Sequence, residues 1–157
     1  MKKIVIAMLM LLSMNANAKA QWFVAGGMNL GYFKENFQFA LLPSVGYEFN
    51  NRWAVGMGLG MEIVSSEACG YVEPYGRFNC WNNKKVYIDV KARAELLFQR
   101  ELGAAQIGFT PSIRYSINDH WQIFGDVGLF GVEYLEEWYP VIGVGSIGIG
   151  TGVIYKF

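Results

Sequence analysis

Residues 53–64, which read WAVGMGLGMEIV, decide the fold because they alternate between two kinds of side chain. Large apolar residues occupy every odd position from Trp53 to Ile63, while glycine, alanine and Glu62 fill the even positions before Val64. A period of two predicts a β-strand with one apolar face and one face of small residues. Its 12 residues are about twice the usual strand length.

The same alternation recurs along the chain and predicts an all-β protein. Residues 37–49 and 107–117 place aliphatic and aromatic side chains on one face, against mostly small or polar residues on the other. Residues 86–98 place a similar apolar face against Tyr87, Asp89, Lys91, Arg93, Glu95 and Leu97. Clear strand patterns cover seven segments: 21–32, 37–49, 52–64, 85–98, 105–117, 121–134 and 141–157.

The composition indicates what the apolar faces contact. Hydrophobic residues make up 53% of the 157 residues and charged residues only 17%, below the roughly 25% of soluble domains. Thirteen basic residues balance 13 acidic ones, which argues against disorder and against nucleic-acid binding. A soluble sandwich would need a densely charged exposed face. The small-residue face instead suits a narrow interior, and the apolar face suits lipid, where a closed barrel leaves no unpaired edge.

A secretory signal peptide is predicted at the N-terminus. Lys2 and Lys3 precede an apolar stretch over residues 4–14, and two overlapping small-x-small cleavage sites follow. The apolar stretch is too short for a spanning helix, which needs about 20 residues. Cleavage after Ala18 leaves 19–157 as one exported barrel domain with a net charge of −2, and the alternative cleavage after Ala20 also removes Lys19 and gives −3.

The turns predict how the strands are connected. Three short dipeptides suit tight turns at one, periplasmic, end of the barrel: Asn50-Asn51, Asn82-Asn83 and Asn118-Asp119. Extracellular loops then fall near 33–37, 65–70, 99–104 and 135–140. Bacterial single-chain barrels have even strand numbers, so an eighth strand is expected within 65–84, at residues 70–81. Pro43 and Pro111 lack an N–H and are expected at bulges or strand ends.

Aromatic residues stand beside the predicted turns, as in the aromatic girdles of membrane barrels. Those near the first turn are Trp22, Tyr47, Phe49 and Trp53.

The two cysteines, Cys69 and Cys80, leave two alternatives. Export favours a disulfide, whereas a strand over 70–81 would separate them by roughly 36 Å at about 3.3 Å per residue. A disulfide needs Cα atoms within about 7 Å, so a bridge would turn 69–80 into a looped-back hairpin.

Charged residues on the small-residue faces are predicted to meet inside the barrel. An eight-stranded barrel is just wide enough for side chains to fill, and buried charges must be paired. The interpretation is an ion-pair plug, with a narrow polar path or a small-ligand contact as the alternative. The predicted network comprises Glu48, Glu62, Asp89, Lys91, Arg93, Glu95, Arg114 and Asp126.

Other motifs give weaker indications. The single histidine, His120, lies in a predicted periplasmic turn, and one histidine with two separated cysteines cannot form a tetrahedral metal set. The G-x-G-x-x-G pattern in 143–150 has no following helix, so no nucleotide cofactor is expected. An acidic aromatic loop near 133–139 could contact a partner or divalent cations that bridge lipopolysaccharide.

The C-terminal residues carry a family resemblance. Gly152, Tyr155 and the terminal Phe157 resemble the last strand of bacterial outer-membrane barrels, which the barrel-assembly machinery reads. Gly150 departs from the polar residue usual at its position. The chain from residue 21 onward resembles the small OmpX- and OmpA-type barrels, which implies an eight-stranded antiparallel up-and-down transmembrane β-barrel in the outer membrane, in contact with lipid and lipopolysaccharide.

Two functions remain open from the sequence. The first is a monomeric, non-enzymatic barrel without cofactor, serving envelope integrity or adhesion through its loops. The second is an enzyme that modifies lipid A or phospholipids, since some eight-stranded barrels do so with a His and a Ser near the outer membrane edge. His120 has no supporting Ser at that end.

Overall fold

The chain folds into a closed antiparallel β-barrel in a computed structural model, which describes residues 20–33, 36–64, 67–98, 104–134, 138–143 and 149–157. The predicted signal peptide, residues 1–18, lies outside this range. The ten strands are β1 (Gln21–Phe33), β2 (Asn36–Glu48), β3 (Trp53–Val64), β4 (Glu67–Asn83), β5 (Val86–Phe98), β6 (Ala104–Ser116), β7 (Trp121–Val127), β8 (Leu129–Tyr134), β9 (Trp138–Gly143) and β10 (Ile149–Lys156).

These ten segments form the eight strands of the barrel. Each of β1 to β6 is one barrel strand, β7 and β8 together form the seventh, and β9 and β10 form the eighth. Neighbouring strands pair antiparallel, and β10 pairs with both β7 and β1, which closes the barrel. The predicted eighth strand is confirmed as β4, which begins earlier than expected and so includes part of the predicted 65–70 loop. The described residues contain no helix able to cross a membrane.

Two bulges keep the apolar side chains facing outward. Gly128, with a φ of 65°, separates β7 from β8, so the exposed positions shift from Val127 to Phe130 and Leu129 becomes fully buried. In β4 the pairing with β5 shifts between Asn79 and Trp81, which leaves Trp81 half exposed. Only glycine adopts the left-handed conformation at little cost, and such bulges change which face a strand presents.

The prolines lie at interruptions of the strand pairing. Pro43 falls where β2 has no partners on β3 between the pairs 41/61 and 44/58. Pro111 falls between the pairs 109/130 and 112/126, opposite the Gly128 bulge. Neither is at a strand end. The expected bulge is confirmed for Pro111, whereas for Pro43 it is wrong, because the register of β2 and β3 is the same on both sides of the interruption. The irregularities accommodate a residue that cannot donate to the ladder.

The short turns connect the strands at one end of the barrel. We call this end the turn end and the opposite end the loop end. Asn50 Oδ1 accepts hydrogen bonds from the backbone N–H of Arg52 at 2.8 Å and of Trp53 at 2.9 Å. Asn118 Oδ1 accepts from the N–H of His120 and Trp121 in the same way. The predicted turn at Asn82-Asn83 is wrong by two residues: both asparagines end β4, and Lys84-Lys85 form the turn.

The two cysteines lie on the same strand. Both Cys69 and Cys80 belong to β4, Cys69 buried and Cys80 exposed, and no disulfide joins them. The strand alternative is therefore the correct one, and the looped-back hairpin does not form.

Aromatic and aliphatic side chains fill the interior beside the small residues. Phe23 packs with Ala54, Tyr75 and Ile154 nearer the turn end, and Tyr71 packs with Ala40 and Leu42 nearer the loop end. Glycines on β3 make this possible, because a Cβ at Gly56 or Gly60 would overlap the ring of Tyr75 or Tyr71. Side chains of the described residues thus pack across the interior of the barrel.

Candidate functional site

The charged side chains inside the barrel form two separate groups. The first, the turn-end cluster, is centred on Glu48 at the end of β2. Its carboxylate accepts hydrogen bonds from Arg77, from Arg114 Nη1 at 3.2 Å and from Lys156 Nζ at 2.6 Å. Arg114 also binds the fully buried Asp89 through Nε and Nη2, and Asn79 Nδ2 donates to Asp89 at 2.8 Å.

The second group, the mid-barrel cluster, is centred on Glu73 of β4, which is fully buried. Lys91 Nζ and Arg93 Nη1 each lie 2.8 Å from a carboxylate oxygen of Glu73. Lys91 also reaches Asp126 at 3.4 Å, and Arg93 reaches Glu95 at 3.9 Å. Among the residues described, no salt bridge links this cluster to the turn-end cluster.

The two clusters carry opposite net charges. The turn-end cluster has three cations, Arg77, Arg114 and Lys156, against Glu48 and Asp89, which gives +1. The mid-barrel cluster has two cations against three carboxylates, which gives −1. The two clusters are therefore neutral in sum, with the positive one at the turn end and the negative one at the middle of the barrel.

The structure brings together most of the residues predicted for the network. Seven of them belong to the two clusters: Glu48, Asp89, Lys91, Arg93, Glu95, Arg114 and Asp126. Glu62 lies on the inward-facing side of β3, half-buried, with Ala40 and Cys69 as its cross-strand neighbours. Its carboxylate is near enough to Glu95 of the mid-barrel cluster for the two charges to interact.

Sequence reasoning missed three charged members, Glu73, Arg77 and Lys156. Glu73 and Arg77 lie on β4, where the location of the strand was inferred but not the direction of its faces. The signal was present: the odd positions 69–79 carry Cys, Tyr, Glu, Tyr, Arg and Asn, whereas the even positions 68–78 carry Ala, Gly, Val, Pro, Gly and Phe. Lys156 lies between the C-terminal aromatics and points inward to Glu48.

A cavity of about 40 Å³ lies in the lumen between the two clusters. Arg77, Lys91 and Arg114 form its charged wall together with Asp126. The opposite wall consists mainly of small and apolar residues of β1, β2 and β10, including Ala25, Gly27 and Ile154. On this measure a water molecule needs about 10–15 Å³, so the cavity admits roughly three waters or one small ion.

The outward face carries an apolar belt around the barrel. Every large residue at the odd positions of β3, from Trp53 to Ile63, is at least 43% exposed, and Leu59 at the middle of the strand is 63% exposed. Strand β6 repeats this with Ile107, Phe109 and Ile113.

Aromatic pairs border the belt at both ends of the barrel. At the turn end, Trp22 packs on Tyr47 at 5.1 Å between ring centroids, and Trp53 on Phe78 at 4.6 Å. At the loop end, Tyr134 packs on Trp138 at 5.2 Å.

The C-terminal residues close the barrel. Gly152 pairs with Gly27 of β1 and Phe124 of β7, and a Cβ on Gly152 would overlap the Phe124 ring. Tyr155 packs on Trp121, with ring centroids 4.9 Å apart, and on Phe157. Phe157 is 66% exposed, and its N–H donates to the carbonyl oxygen of Trp22 at 3.1 Å.

The remaining chemical candidates do not assemble into a site in the described part of the chain. His120 is exposed at the turn end, stacked on Tyr155, with Nδ1 2.9 Å from the Lys156 carbonyl oxygen. No group of three or more His, Cys, Asp or Glu residues able to hold a metal ion occurs among the described residues. Residues 144–148 of the glycine-rich stretch, and Glu136 and Glu137 of the acidic loop, lie outside that range.

Comparisons with known proteins bear on the fold alone. No protein family matches the chain, and no curated protein matches it. A solved chain described as "De novo design of transmembrane beta-barrels" superposes with a TM-score of 0.52 at 12% sequence identity, covering 87% of this chain and 95% of that one. At this identity the likeness carries no shared activity or partner. It shows that the polypeptide has the closed β-barrel fold that designed transmembrane barrels also have.

Proposed function

We propose that this protein is an integral β-barrel of the bacterial outer membrane, exported by its signal peptide and monomeric there. The observation that carries the proposal is the apolar belt on a closed barrel. On a soluble monomer, contiguous apolar patches rarely exceed a few hundred Å². Here large apolar side chains face outward on strand after strand, with charges gathered inside. This arrangement is stable where the surrounding solvent is hydrocarbon.

The strands suit a membrane location in their length and in the aromatic residues at their ends. Strands β1, β2, β5 and β6 have 13 residues each and β3 has 12, and a tilted strand needs about 9–11 to cross the hydrocarbon. Aromatic pairs such as Trp53 with Phe78 stand where the belt ends, in the position of interfacial girdles. Outer-membrane lipid and lipopolysaccharide are the proposed partners, and a nucleic acid is not.

We propose further that the lumen is plugged and non-conducting. Glu73, Lys91 and Arg93 occupy the middle of the barrel and are each less than a tenth exposed. Their ion pairs with the surrounding carboxylates cross the lumen from strand to strand, as between Lys91 on β5 and Asp126 on β7. A stable conductance in planar bilayers would contradict the plug and favour a narrow pore.

The role that suits a plugged barrel is non-enzymatic, in envelope integrity or in adhesion and interaction through the loops. Trp138 of the predicted acidic aromatic loop is 56% exposed beside Tyr134, which offers an aromatic contact at the loop end. His120 belongs to the opposite end, where its Nδ1 lies 2.9 Å from the carbonyl oxygen of Lys156 on β10. Lipid A from cells with and without the protein should therefore have the same acylation pattern, and a change that His120→Ala abolishes would favour an enzyme.

Membrane residence is tested by fractionation and by gel mobility. We expect the protein in the outer-membrane fraction, resistant to carbonate extraction, with unboiled and boiled samples migrating differently on a detergent gel. Release into the soluble periplasm with no mobility difference would contradict the proposal.

A variant pair tests the C-terminal assembly signal, Gly152, Tyr155 and Phe157. Phe157→Ala should reduce the folded fraction in cells, whereas Phe157→Tyr, which keeps an aromatic ring, should not. Both variants should refold equally from urea into detergent, because the ring is largely exposed in the finished barrel. Equal folded fractions for both variants in cells would remove the proposed role of this residue.

A further inference from the structure

The lumenal cavity has an unusual wall, because two cations stand directly opposite each other there. Arg77 on β4 and Lys91 on β5 are cross-strand partners, and both side chains line the cavity. Like charges in this position are destabilising, since the Cβ atoms are only about 5 Å apart. Each cation is paired on its far side, Arg77 with Glu48 of the turn-end cluster and Lys91 with Glu73 of the mid-barrel cluster.

The charged side chains that line the cavity are predominantly positive. Arg114 is the third cation in its wall, and Asp126 is the one carboxylate there. The turn-end cluster has an excess of one positive charge. The mid-barrel cluster has one more carboxylate than cations, but its Glu95 pairs with Arg93 and does not line the cavity. A buried excess charge is costly unless a counter-charge compensates it.

The cavity also offers unused donors. The single hydrogen bond of Arg77 to another described residue runs from Nη2 to Glu48, although a guanidinium has five N–H donors. The Ser112 side chain is buried at the cavity wall. Tyr75 and Ser44, whose hydroxyl oxygens are 3.4 Å apart, lie at its border.

We propose that this cavity is a binding site for one halide-sized inorganic anion, held between Arg77 and Lys91 with Arg114 and Ser112 beside it. The volume of about 40 Å³ limits the ligand to a small ion, because it exceeds the requirement of one water only by roughly three-fold. A chloride ion would offset the repulsion between the two cross-strand cations. The proposal requires only the closed lumen and does not depend on the membrane in which the barrel resides.

Bromide provides the direct test, because it replaces chloride and scatters anomalously. Crystals of the detergent-solubilised full barrel grown in sodium bromide should have an anomalous peak between Arg77 and Lys91. The urea unfolding midpoint should also be higher in chloride than in gluconate at equal ionic strength, since screening is then equal and only an anion bound to the folded state adds stability.

Three variants assign the effect to the cavity. Arg77→Gln removes a cation of the wall, and Ala25→Val fills the opposite wall without changing any charge; both should abolish the chloride-to-gluconate difference. Lys85→Gln, which removes the same charge at an exposed turn, should retain it. Ala25→Val keeps the test valid if Arg77→Gln does not fold, which the gel mobility of unboiled protein reports.

Two results would overturn the site. One is the absence of bromide from the cavity in the unaltered protein. The other is an equal salt difference in the unaltered protein and in all variants that fold. Either result leaves the membrane proposal intact, because fractionation and gel mobility test that separately.

Discussion

Arg114 offers the sharpest test of the buried ion pairs, because one side chain joins three partners. Its Nε and Nη2 bind Asp89, and its Nη1 lies 2.8 Å from Gln122 Oε1 and 3.2 Å from Glu48. Asp89 is fully buried. Arg114→Met keeps a long apolar stem but leaves the Asp89 carboxylate without its cation. Removing one partner of a buried pair costs about 3–5 kcal/mol, and we expect a loss of free energy of unfolding in that range.

A second substitution separates the orphaned charge from lost packing. In the double variant Arg114→Met/Asp89→Asn the buried carboxylate becomes a neutral amide. This amide can still hydrogen-bond with Asn79, whose Nδ2 lies 2.8 Å from Asp89 Oδ1 in the unaltered protein. We expect the double variant to recover at least half of the loss, because the cost arises mainly from the unpaired charge. A pure packing defect would not be rescued in this way.

The assay is equilibrium urea unfolding of the barrel in phospholipid vesicles, followed by tryptophan fluorescence, with gel mobility as the measure of the folded fraction. Arg52→Met at an exposed turn is the matched control and should change the free energy of unfolding by no more than about 0.5 kcal/mol. The reasoning is refuted if Arg114→Met lies within 1 kcal/mol of the unaltered protein, or if Asp89→Asn adds to the loss.

The same assay tests the bulge and the belt, and chemical labelling tests the cysteines. Gly128→Ala should cost about 1–2 kcal/mol because its φ of 65° is left-handed, whereas Gly76→Ala, whose Cβ would meet no atom within 4 Å, should cost nothing; equal effects would contradict the strained bulge. Leu59→Lys should cost about 2–4 kcal/mol in vesicles, and a change within about 0.5 kcal/mol would indicate that the belt faces water. In the folded barrel a maleimide should label the exposed Cys80 but not the buried Cys69; a mass two daltons lower, restored by reductant, would instead reveal a disulfide.

Most of the fold could be predicted from the alternation of side chains, because each side chain of a regular strand in a closed barrel faces either the interior or the outside. Where a strand is regular, as in β3 and β5, the sequence pattern correctly predicted which side chains are buried and which are exposed. The position of β4 followed from an even strand count and from the assignment of the three short turns to the same end of the barrel.

Bulges limited the prediction, because a single extra residue inverts the pattern that follows it. In 121–134 the outward apolar positions are odd up to Val127 and even from Phe130, and Gly128 stands between the two phases. That phase change is readable in the sequence once the apolar face is assumed to point outward. The turn at Lys84-Lys85 carries no such signal, since lysine is not a preferred residue for a φ of 44°.

The sequence predicted which charged side chains face the interior, but not all of the partners with which they pair. Asp89 and Arg114 lie on neighbouring strands, so their contact follows from topology. Glu48 and Lys156 come from the two strands that flank β1, namely β2 and β10. Their contact depends on the tilt of the strands in the barrel, and this tilt cannot be read from the spacing of residues in the sequence.

The pairing of β1 with β10 has a consequence for the order of assembly. Gln21 and Phe157, 136 positions apart, are joined by a hydrogen bond in the finished barrel, whereas β1 to β6 pair with their neighbours along the chain. Contacts of such high sequence separation form slowly, because a long loop must close before they contribute. Until that seam forms, β1 and β10 each present an unpaired edge open to another chain. The slowest step of folding is thus also the step at which this protein is most exposed to aggregation, and protection of the seam is most valuable there.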